Sequence, residues 1–181
     1  IQLGAIFAIA LMYMNRFFQS ITIYLKLLIA FIPTAVIGFL AYDFIKAYLF
    51  NPTVVSISLI VGGIVLIWID KKVMKQETEV VSLEDIPYKN AFYIGLIQCL
   101  SMIPGTSRAA ATIVGGVFNK LNKKQATEFS FLLAIPTMFA ASGYDLLKTP
   151  VDFDKPQIIM LVIGLVFAFI SAWFAVKIFL K

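Results

Sequence analysis

Five residues, Pro104–Arg108, separate two apolar runs that are each too short to cross a lipid bilayer. The first run, Ala91–Ile103, has 13 residues, and the second, Ala109–Phe118, has 10. A helix that spans a membrane needs about 20 apolar residues, and runs of about 10 to 14 are typical of re-entrant or buried segments. The pattern therefore predicts a helical hairpin over residues 91–118, which enters the membrane and returns to the side from which it came.

The composition of the whole chain favours a membrane protein over a soluble domain. Of its 181 residues, 61% are hydrophobic and 14% are charged, and the mean hydropathy is +0.93. These values predict an all-α polytopic membrane protein. Five further apolar runs are predicted to be membrane helices: Ile1–Met14, Ile21–Ala41, Val54–Ile69, Phe129–Leu147 and Ile158–Val176. The first run begins without an initiator Met, which predicts that an upstream segment precedes it.

Several kinds of site are excluded by the residues present. The single Cys99 lies in an apolar run, so the chain forms neither a disulfide framework nor a Cys-based metal site. The chain contains no His, which removes His bases, nucleophiles and metal ligands. The net charge of +5 is spread over short loops. Such a distribution is typical of membrane orientation, so no nucleic-acid partner is expected.

The basic residues are unevenly distributed between the loops. Eleven of them lie in four segments, namely the first loop, the polar loop Asp70–Asn90, the segment after the hairpin and the end of the chain. These four segments would share one face of the membrane. The opposite face would then carry three. This split agrees with the positive-inside rule. It predicts spans that run inward, outward and inward, a hairpin entering from the cytoplasm, and two more spans, outward and inward.

The residues of the hairpin turn form a predicted anion site. Pro104–Gly105 ends the first short helix, and either Thr106 or Ser107 can be the N-cap of the second. The backbone N–H groups at a helix N-terminus attract phosphate. Arg108 adds a planar fork of donors that suits phosphate oxygens. An ionisable residue at membrane depth is a functional-site hypothesis by default.

Polar side chains on both short helices extend this predicted site. Thr112 lies four residues after Arg108, on the same face of the helix. On the incoming helix, Gly95, Gln98 and Ser101 recur every three residues as a small or polar stripe. Structural alternatives stay open: Arg108 as a snorkelling residue, Thr112 bonding its own backbone, and Gln98 or Ser101 as interhelical hydrogen-bonding residues.

Two glycine pairs, Gly62–Gly63 and Gly115–Gly116, are predicted sites of close helix approach. Small residues let membrane helices pack tightly. Neither pair is followed by the Lys or Ser/Thr arrangement of a phosphate-binding loop. A structural role is therefore favoured for both.

Several segments, taken in order, resemble one family of enzymes. Gly95–Gln98, followed by Ile103–Arg108 and then Thr112, resembles the second signature of the BacA-type undecaprenyl-diphosphatases, a family associated with bacitracin resistance. Glu128–Pro136 is similar to the segment that follows this signature. Ile1–Ile6 resembles the start of one of the family's helices. The resemblance extends over essentially the whole chain.

This resemblance implies a bacterial inner-membrane enzyme that removes the terminal phosphate of undecaprenyl diphosphate at the outer face. It implies six spanning helices and two re-entrant hairpins in inverted halves, of which residues 1–181 would hold about five spans and one hairpin in a single domain. A divalent metal, Mg²⁺ or Ca²⁺, is expected, with carboxylate ligands and a His in an upstream Glu-rich segment. A last helix is expected after Lys181. The expected partners are the lipid substrate and the bilayer, with a homodimer as a further possibility.

The resemblance also implies roles for particular residues. Arg108 and Ser107 are the expected catalytic residues, and Arg108 would stabilise the charge that develops in phosphoryl transfer. The expected phosphate-binding residues are Gly105, Thr106, Thr112 and Gln98. The chain departs from the common pattern at Ala109–Ala110, where many members have Ser-Gly, and this removes one hydroxyl without touching Arg108.

The alternative function is a lipid-phosphate transporter or flippase. Broken helices with their dipole ends near the membrane midplane also bind anions in transporters. The expected upstream segment separates the two hypotheses, because paired Glu residues and a His there would favour hydrolysis.

Overall fold

The computed structural model describes residues 1–14, 20–72, 82–148 and 153–179. These ranges contain seven α-helices and no strand. The helices are α1 (Gln2–Met12), α2 (Ile21–Phe44), α3 (Pro52–Lys72), α4 (Tyr88–Gln98), α5 (Arg108–Phe118), α6 (Lys123–Lys148) and α7 (Lys155–Phe179). A π-helical turn, Ile45–Leu49, continues α2, and short 3₁₀ turns cover Leu83–Asp85 and Cys99–Met102.

Four of the described helices are long and apolar enough to cross a membrane: α2 with its π-helical turn, α3, α6 and α7. These candidate spans are 29, 20, 26 and 24 residues long, and about 20 residues are needed to cross a membrane. The prediction of an all-α polytopic membrane protein is thereby confirmed. The run Ile1–Met14 is one of the five predicted spans. Its described helix, α1, has 11 residues, which is fewer than a membrane span needs.

The chain divides into two compact units. One comprises residues 1–21 and 134–181, where α1 packs against α7 and the ring of Phe7 meets that of Phe139 edge-on, with centroids 5.2 Å apart. The other unit, residues 22–133, contains α2, α3, α4, α5 and the first part of α6. Every residue of the predicted anion site belongs to this second unit.

Polar segments at one end of the second unit contact one another. Three contacts join them: Lys26 Nζ donates to the carbonyl of Glu84, Asn90 Nδ2 donates to the carbonyl of Asn119 at 3.2 Å, and Lys123 Nζ lies 3.7 Å from Asp70 Oδ1. The start of α2, the end of α3, the base of the hairpin and the start of α6 therefore lie at the same end. The topology predicted from the basic residues requires this arrangement.

From this polar end, α4 runs alongside α2 in the same direction. Three pairs of neighbours show the parallel course: Ala30 with Gly95, Thr34 with Gln98, and Gly38 with Met102. An α-helix rises about 1.5 Å per residue, so α2 advances about 18 Å between Lys26 and Gly38. The turn that follows Met102 therefore lies about that far from the polar end, which is more than half of a hydrocarbon core of about 30 Å.

The two glycine pairs differ in their surroundings. A Cβ atom added to Gly116 would lie 2.8 Å from the Cβ of Ala126 on α6, which confirms close approach at this pair. At Gly62 and Gly63 no described atom lies within 4 Å of an added Cβ, so no described helix approaches this pair closely and the prediction there stays untested. Only 6% of the apolar window of α3 is buried by the described chain.

Candidate active site

The predicted anion site lies at a turn between two short helices. The chain tightens into a 3₁₀ turn over Cys99–Met102 and then becomes extended at Ile103, with φ −74° and ψ 117°, as the residue before a proline prefers. Pro104 cannot resume the helix because it has no N–H to donate. α5 then packs back against α4, where a Cβ on Gly115 would lie 3.4 Å from the Cβ of Ile97. The entry of this hairpin into the membrane stays a prediction.

Gly105 brings the turn against the backbone of α3. Its φ of +93° lies in the left-handed region that favours glycine. A Cβ at this position would lie 2.6 Å from the carbonyl oxygen of Val55 and 3.1 Å from the Cβ of Ser58. Both residues belong to the first two turns of α3. The turn is therefore held near the end of α3 that is remote from Asp70.

We expect Gly105→Ala to destabilise the folded protein by about 1 to 3 kcal/mol. The substitution strains the left-handed backbone and places a methyl group against the Val55 carbonyl, which is main chain and cannot rotate aside. The midpoint of thermal unfolding in detergent measures the effect. Gly63→Ala, which enters open space within the described chain, is the control and should not lower the midpoint. Equal midpoints for the two variants would contradict the turn geometry.

Ser107 is the N-cap of α5. Its backbone is extended, and its Oγ accepts a hydrogen bond from the N–H of Ala110 at 3.3 Å, which decides between Ser107 and Thr106. Thr106 instead donates its N–H to the carbonyl of Ile103 at 3.0 Å, within the turn. The side chain of Ser107 is exposed, and its hydroxyl proton is not used by the cap. The N–H groups of the first turn that precede Ala110 have no acceptor within α5.

Arg108 is the first residue of α5 and carries the charge of the site. Its side chain is half-buried, and its Nη1 atom is buried without a hydrogen-bond partner among the described residues. A snorkelling arginine keeps its guanidinium in water, so the burial of Nη1 favours the anion-site hypothesis. A buried donor without an acceptor is costly. A ligand that supplies acceptor oxygens would remove this cost.

Gln98 connects α4 to α2. The side chain is 0% exposed, and its Nε2 donates to Thr34 Oγ1 at 2.8 Å, which confirms the interhelical hydrogen bond named as an alternative. Its Oε1 is buried and has no partner within the described ranges. An amide oxygen only accepts hydrogen bonds, so it would contact a phosphate through a protonated oxygen or a bridging water. Direct phosphate binding by Gln98 stays a prediction.

Thr112 is 1% exposed and uses its hydroxyl within the protein. Its Oγ1 lies 3.0 Å from the carbonyl oxygen of Arg108 and 3.1 Å from that of Ala109, which confirms the alternative that it bonds its own helix. The same atom lies 2.5 Å from Ser130 Oγ on α6. A phosphate contact by Thr112 stays a prediction.

Ser130 is the residue that sequence reasoning missed at this site. The available signal was its position as the one hydroxyl in the otherwise apolar segment after Glu128, within the stretch that carries the family resemblance. Nothing in that segment predicts which neighbouring helix the hydroxyl faces. The structure shows that it faces α5, one turn after Arg108.

The side chains of this site suit an anion rather than a cation. No group of three or more His, Cys, Asp and Glu side chains that could hold a metal ion occurs in the part of the chain that the structure describes. These residues by themselves therefore do not fit a divalent metal. The donors at the turn are a guanidinium, a hydroxyl and backbone amides, which are the groups that bind phosphate.

The sequence also matches the family of the bacitracin resistance protein BacA, over residues 1–181. The chain belongs to this family. Among its BacA relatives, an undecaprenyl-diphosphatase of Wolinella succinogenes is 50% identical over 181 residues, which are 100% of this chain and 70% of the relative. An undecaprenyl-diphosphatase of Persephonella marina is 48% identical over 180 residues, covering 99% of this chain and 70% of the relative. An undecaprenyl-diphosphatase of Aquifex aeolicus is 46% identical over 182 residues, which cover 100% of this chain and 71% of the relative.

Proposed function

We propose that this protein hydrolyses undecaprenyl diphosphate to undecaprenyl phosphate and inorganic phosphate. The observation that carries the proposal is the match, over nearly the whole chain, to BacA-family proteins named undecaprenyl-diphosphatase. The site agrees with it chemically, because the buried Nη1 of Arg108 lacks an acceptor among the described residues and a phosphate would supply one. In the net reaction, water adds across the phosphoanhydride bond. The bridging oxygen leaves with the lipid phosphate.

Arg108 and the start of α5 bind and stabilise the transferring phosphoryl group in this proposal. Charge is spread over the three equatorial oxygens of that group in the transition state. Fixed donors aimed at such oxygens lower the barrier without reorganisation. Ser107 offers its hydroxyl proton, while Gly105 and Thr106 shape the turn that carries these donors. Thr112 and Gln98 support the two helices that hold the turn.

The depth of the turn supports a reaction on the outer side of the membrane. The turn lies beside the first turns of α3, about 18 Å along α2 from the polar end that the basic residues assign to the cytoplasm. A headgroup that enters from the opposite face reaches it over the shorter distance. Membership of the BacA family supports a location in the bacterial inner membrane, with the bilayer as the partner. A homodimer is proposed for test by native mass spectrometry.

Metal dependence is a further part of the proposal, and the family resemblance alone supports it. The described residues do not provide the ligands, so no step of the reaction is assigned to a metal. Mg²⁺ or Ca²⁺ would be held by groups outside the described ranges. Removal of the metal with a chelator tests this expectation directly.

The experiment that tests the function measures phosphate release by the purified full-length protein in detergent. We expect undecaprenyl diphosphate to yield equal amounts of phosphate and undecaprenyl phosphate. EDTA should abolish the release, and added Mg²⁺ or Ca²⁺ should restore it. Undecaprenyl phosphate, which has no phosphoanhydride bond, is the control substrate and should release none. Transfer of the lipid across vesicles without phosphate release would contradict hydrolysis.

A further inference from the structure

A buried hydroxyl on α6 is linked to the first turn of α5. Ser130 and Thr112 are each 1% exposed, and their hydroxyl oxygens are 2.5 Å apart. The two residues lie 18 positions apart in the sequence and on different helices. This contact is therefore a tertiary one, made inside the unit that holds the anion site.

The chemistry of the partners favours one direction for these hydrogen bonds. Thr112 Oγ1 lies within hydrogen-bonding distance of the carbonyl oxygens of Arg108 and Ala109, and a carbonyl only accepts. Thr112 has one hydroxyl proton, and donation of that proton to the carbonyls leaves its oxygen to accept from Ser130. The chain of bonds runs from the Ser130 hydroxyl through Thr112 to the backbone of Arg108.

The first turn of α5 depends on such contacts for its position. α5 has 11 residues, which is about three turns of helix, so contacts with neighbouring helices set its position. Its second half is held by close packing, since Gly116 lies against Ala126 of α6. Its first half carries the Ser107 cap, which is local and does not fix the helix relative to its neighbours. Gly105 holds the preceding turn against α3, and the Ser130 link holds the turn that begins with Arg108 against α6.

We propose that Ser130 is a positioning residue of the phosphatase reaction, which acts through Thr112 on the backbone of Arg108. Its role is to hold the guanidinium where it meets the transferring phosphoryl group. Ser130 does not touch the substrate in this role. The proposal rests on the proposed function, in which Arg108 binds the diphosphate.

The first test compares Ser130→Ala with wild type in the phosphate-release assay on the full-length protein. We expect kcat to fall about 10- to 100-fold, because a small misplacement of a catalytic group has effects of this size. KM should change less than about threefold, since a slightly misplaced guanidinium still binds the diphosphate but stabilises the charge of the transition state less well. The matched control is Thr127→Ala, one turn earlier on α6. Thr127 is also buried, but its hydroxyl donates to the carbonyl of Lys123 in its own helix, at 2.7 Å. The kcat of Thr127→Ala should therefore stay within about twofold of the wild-type value.

The second test asks whether the effect passes through Arg108. In an Arg108→Ala background, Ser130→Ala should leave the residual kcat unchanged within about twofold, because the group that it positions is gone. If Ser130→Ala lowers kcat by the same factor in both backgrounds, Ser130 has a general packing role and the proposal is wrong. If Ser130→Ala does not fold, Thr112→Val breaks the same link and should give the same loss of kcat.

The outcomes separate this inference from the function on which it rests. If Arg108→Ala keeps most of its activity, the assigned anion site is wrong. If Arg108→Ala is inactive while Ser130→Ala behaves like Thr127→Ala, the anion site stands and only the positioning role is wrong.

Discussion

Arg108→Ala is expected to reduce phosphate release from undecaprenyl diphosphate by about 100-fold or more, since loss of one fixed donor to transition-state charge has effects of this size. The variant should fold, because the buried Nη1 has no hydrogen-bond partner among the described residues and its removal breaks no described bond at that atom. Initial rates with the full-length protein measure the loss of phosphate release. The midpoint of thermal unfolding in detergent tests whether the variant folds, and it should be unchanged or raised.

Two further variants make this result specific. Arg108→Lys keeps the positive charge but loses the planar fork of donors, so its rate should fall between those of wild type and Arg108→Ala. Lys124→Ala removes an exposed cation at the start of α6, away from the turn, and should leave the rate unchanged. Retention of most activity by Arg108→Ala would overturn the assignment of this arginine.

Gly95→Ala is expected to cost about 3 kcal/mol or more of stability, at the upper end of what overpacking causes. An added Cβ would lie 2.0 Å from the carbonyl oxygen of Ala30 and 2.8 and 2.9 Å from its carbonyl carbon and Cα. All three atoms are main chain, so α4 has to move away from α2. That movement also breaks the bond between Gln98 and Thr34. Both the unfolding midpoint and phosphate release should fall.

The control for Gly95→Ala is Gly62→Ala, a helical glycine with no described atom within 4 Å of an added Cβ. Relief of the conformational entropy of glycine would stabilise this variant by about 0.5 to 1 kcal/mol. Its midpoint should therefore stay level or rise. A Gly95→Ala protein that unfolds at the same temperature as Gly62→Ala would show that α4 does not lie against α2 as described.

The helices and their polar end could be predicted from the sequence because they depend on local properties. Run lengths and breaks at Pro104 fix where helices begin and end, and the distribution of lysines predicts which ends share a face. The contact between Lys26 and Glu84 bears out that prediction across 58 positions of sequence. The residues of the predicted anion site were also local, since Gly105 and Arg108 lie within one turn of chain.

The partners of the buried polar groups could not be predicted, because they come from other helices. Thr34 is 64 residues from Gln98, and both stand in apolar runs whose facing sides no local pattern reveals. The glycine pairs show the same limit: Gly62 and Gly116 look alike in sequence, but among the described residues a neighbouring helix approaches Gly116 and none approaches Gly62. Thr106 and Ser107 both carry a hydroxyl that can cap a helix, and the backbone geometry of the turn makes Ser107 the N-cap.

The 3₁₀ turn at Cys99–Met102 has a consequence for which diphosphates can reach the enzyme. A 3₁₀ helix rises about 2.0 Å per residue against about 1.5 Å for an α-helix, so these 4 residues extend the reach of the hairpin by about 2 Å. A diphosphate that meets Arg108 at that depth has to leave bulk water, and desolvating its charge is costly. A molecule with a long hydrocarbon tail is already anchored in the bilayer, whereas a nucleotide is not. With the hairpin in the membrane as predicted, we therefore expect amphiphilic diphosphates to be hydrolysed in preference to soluble ones.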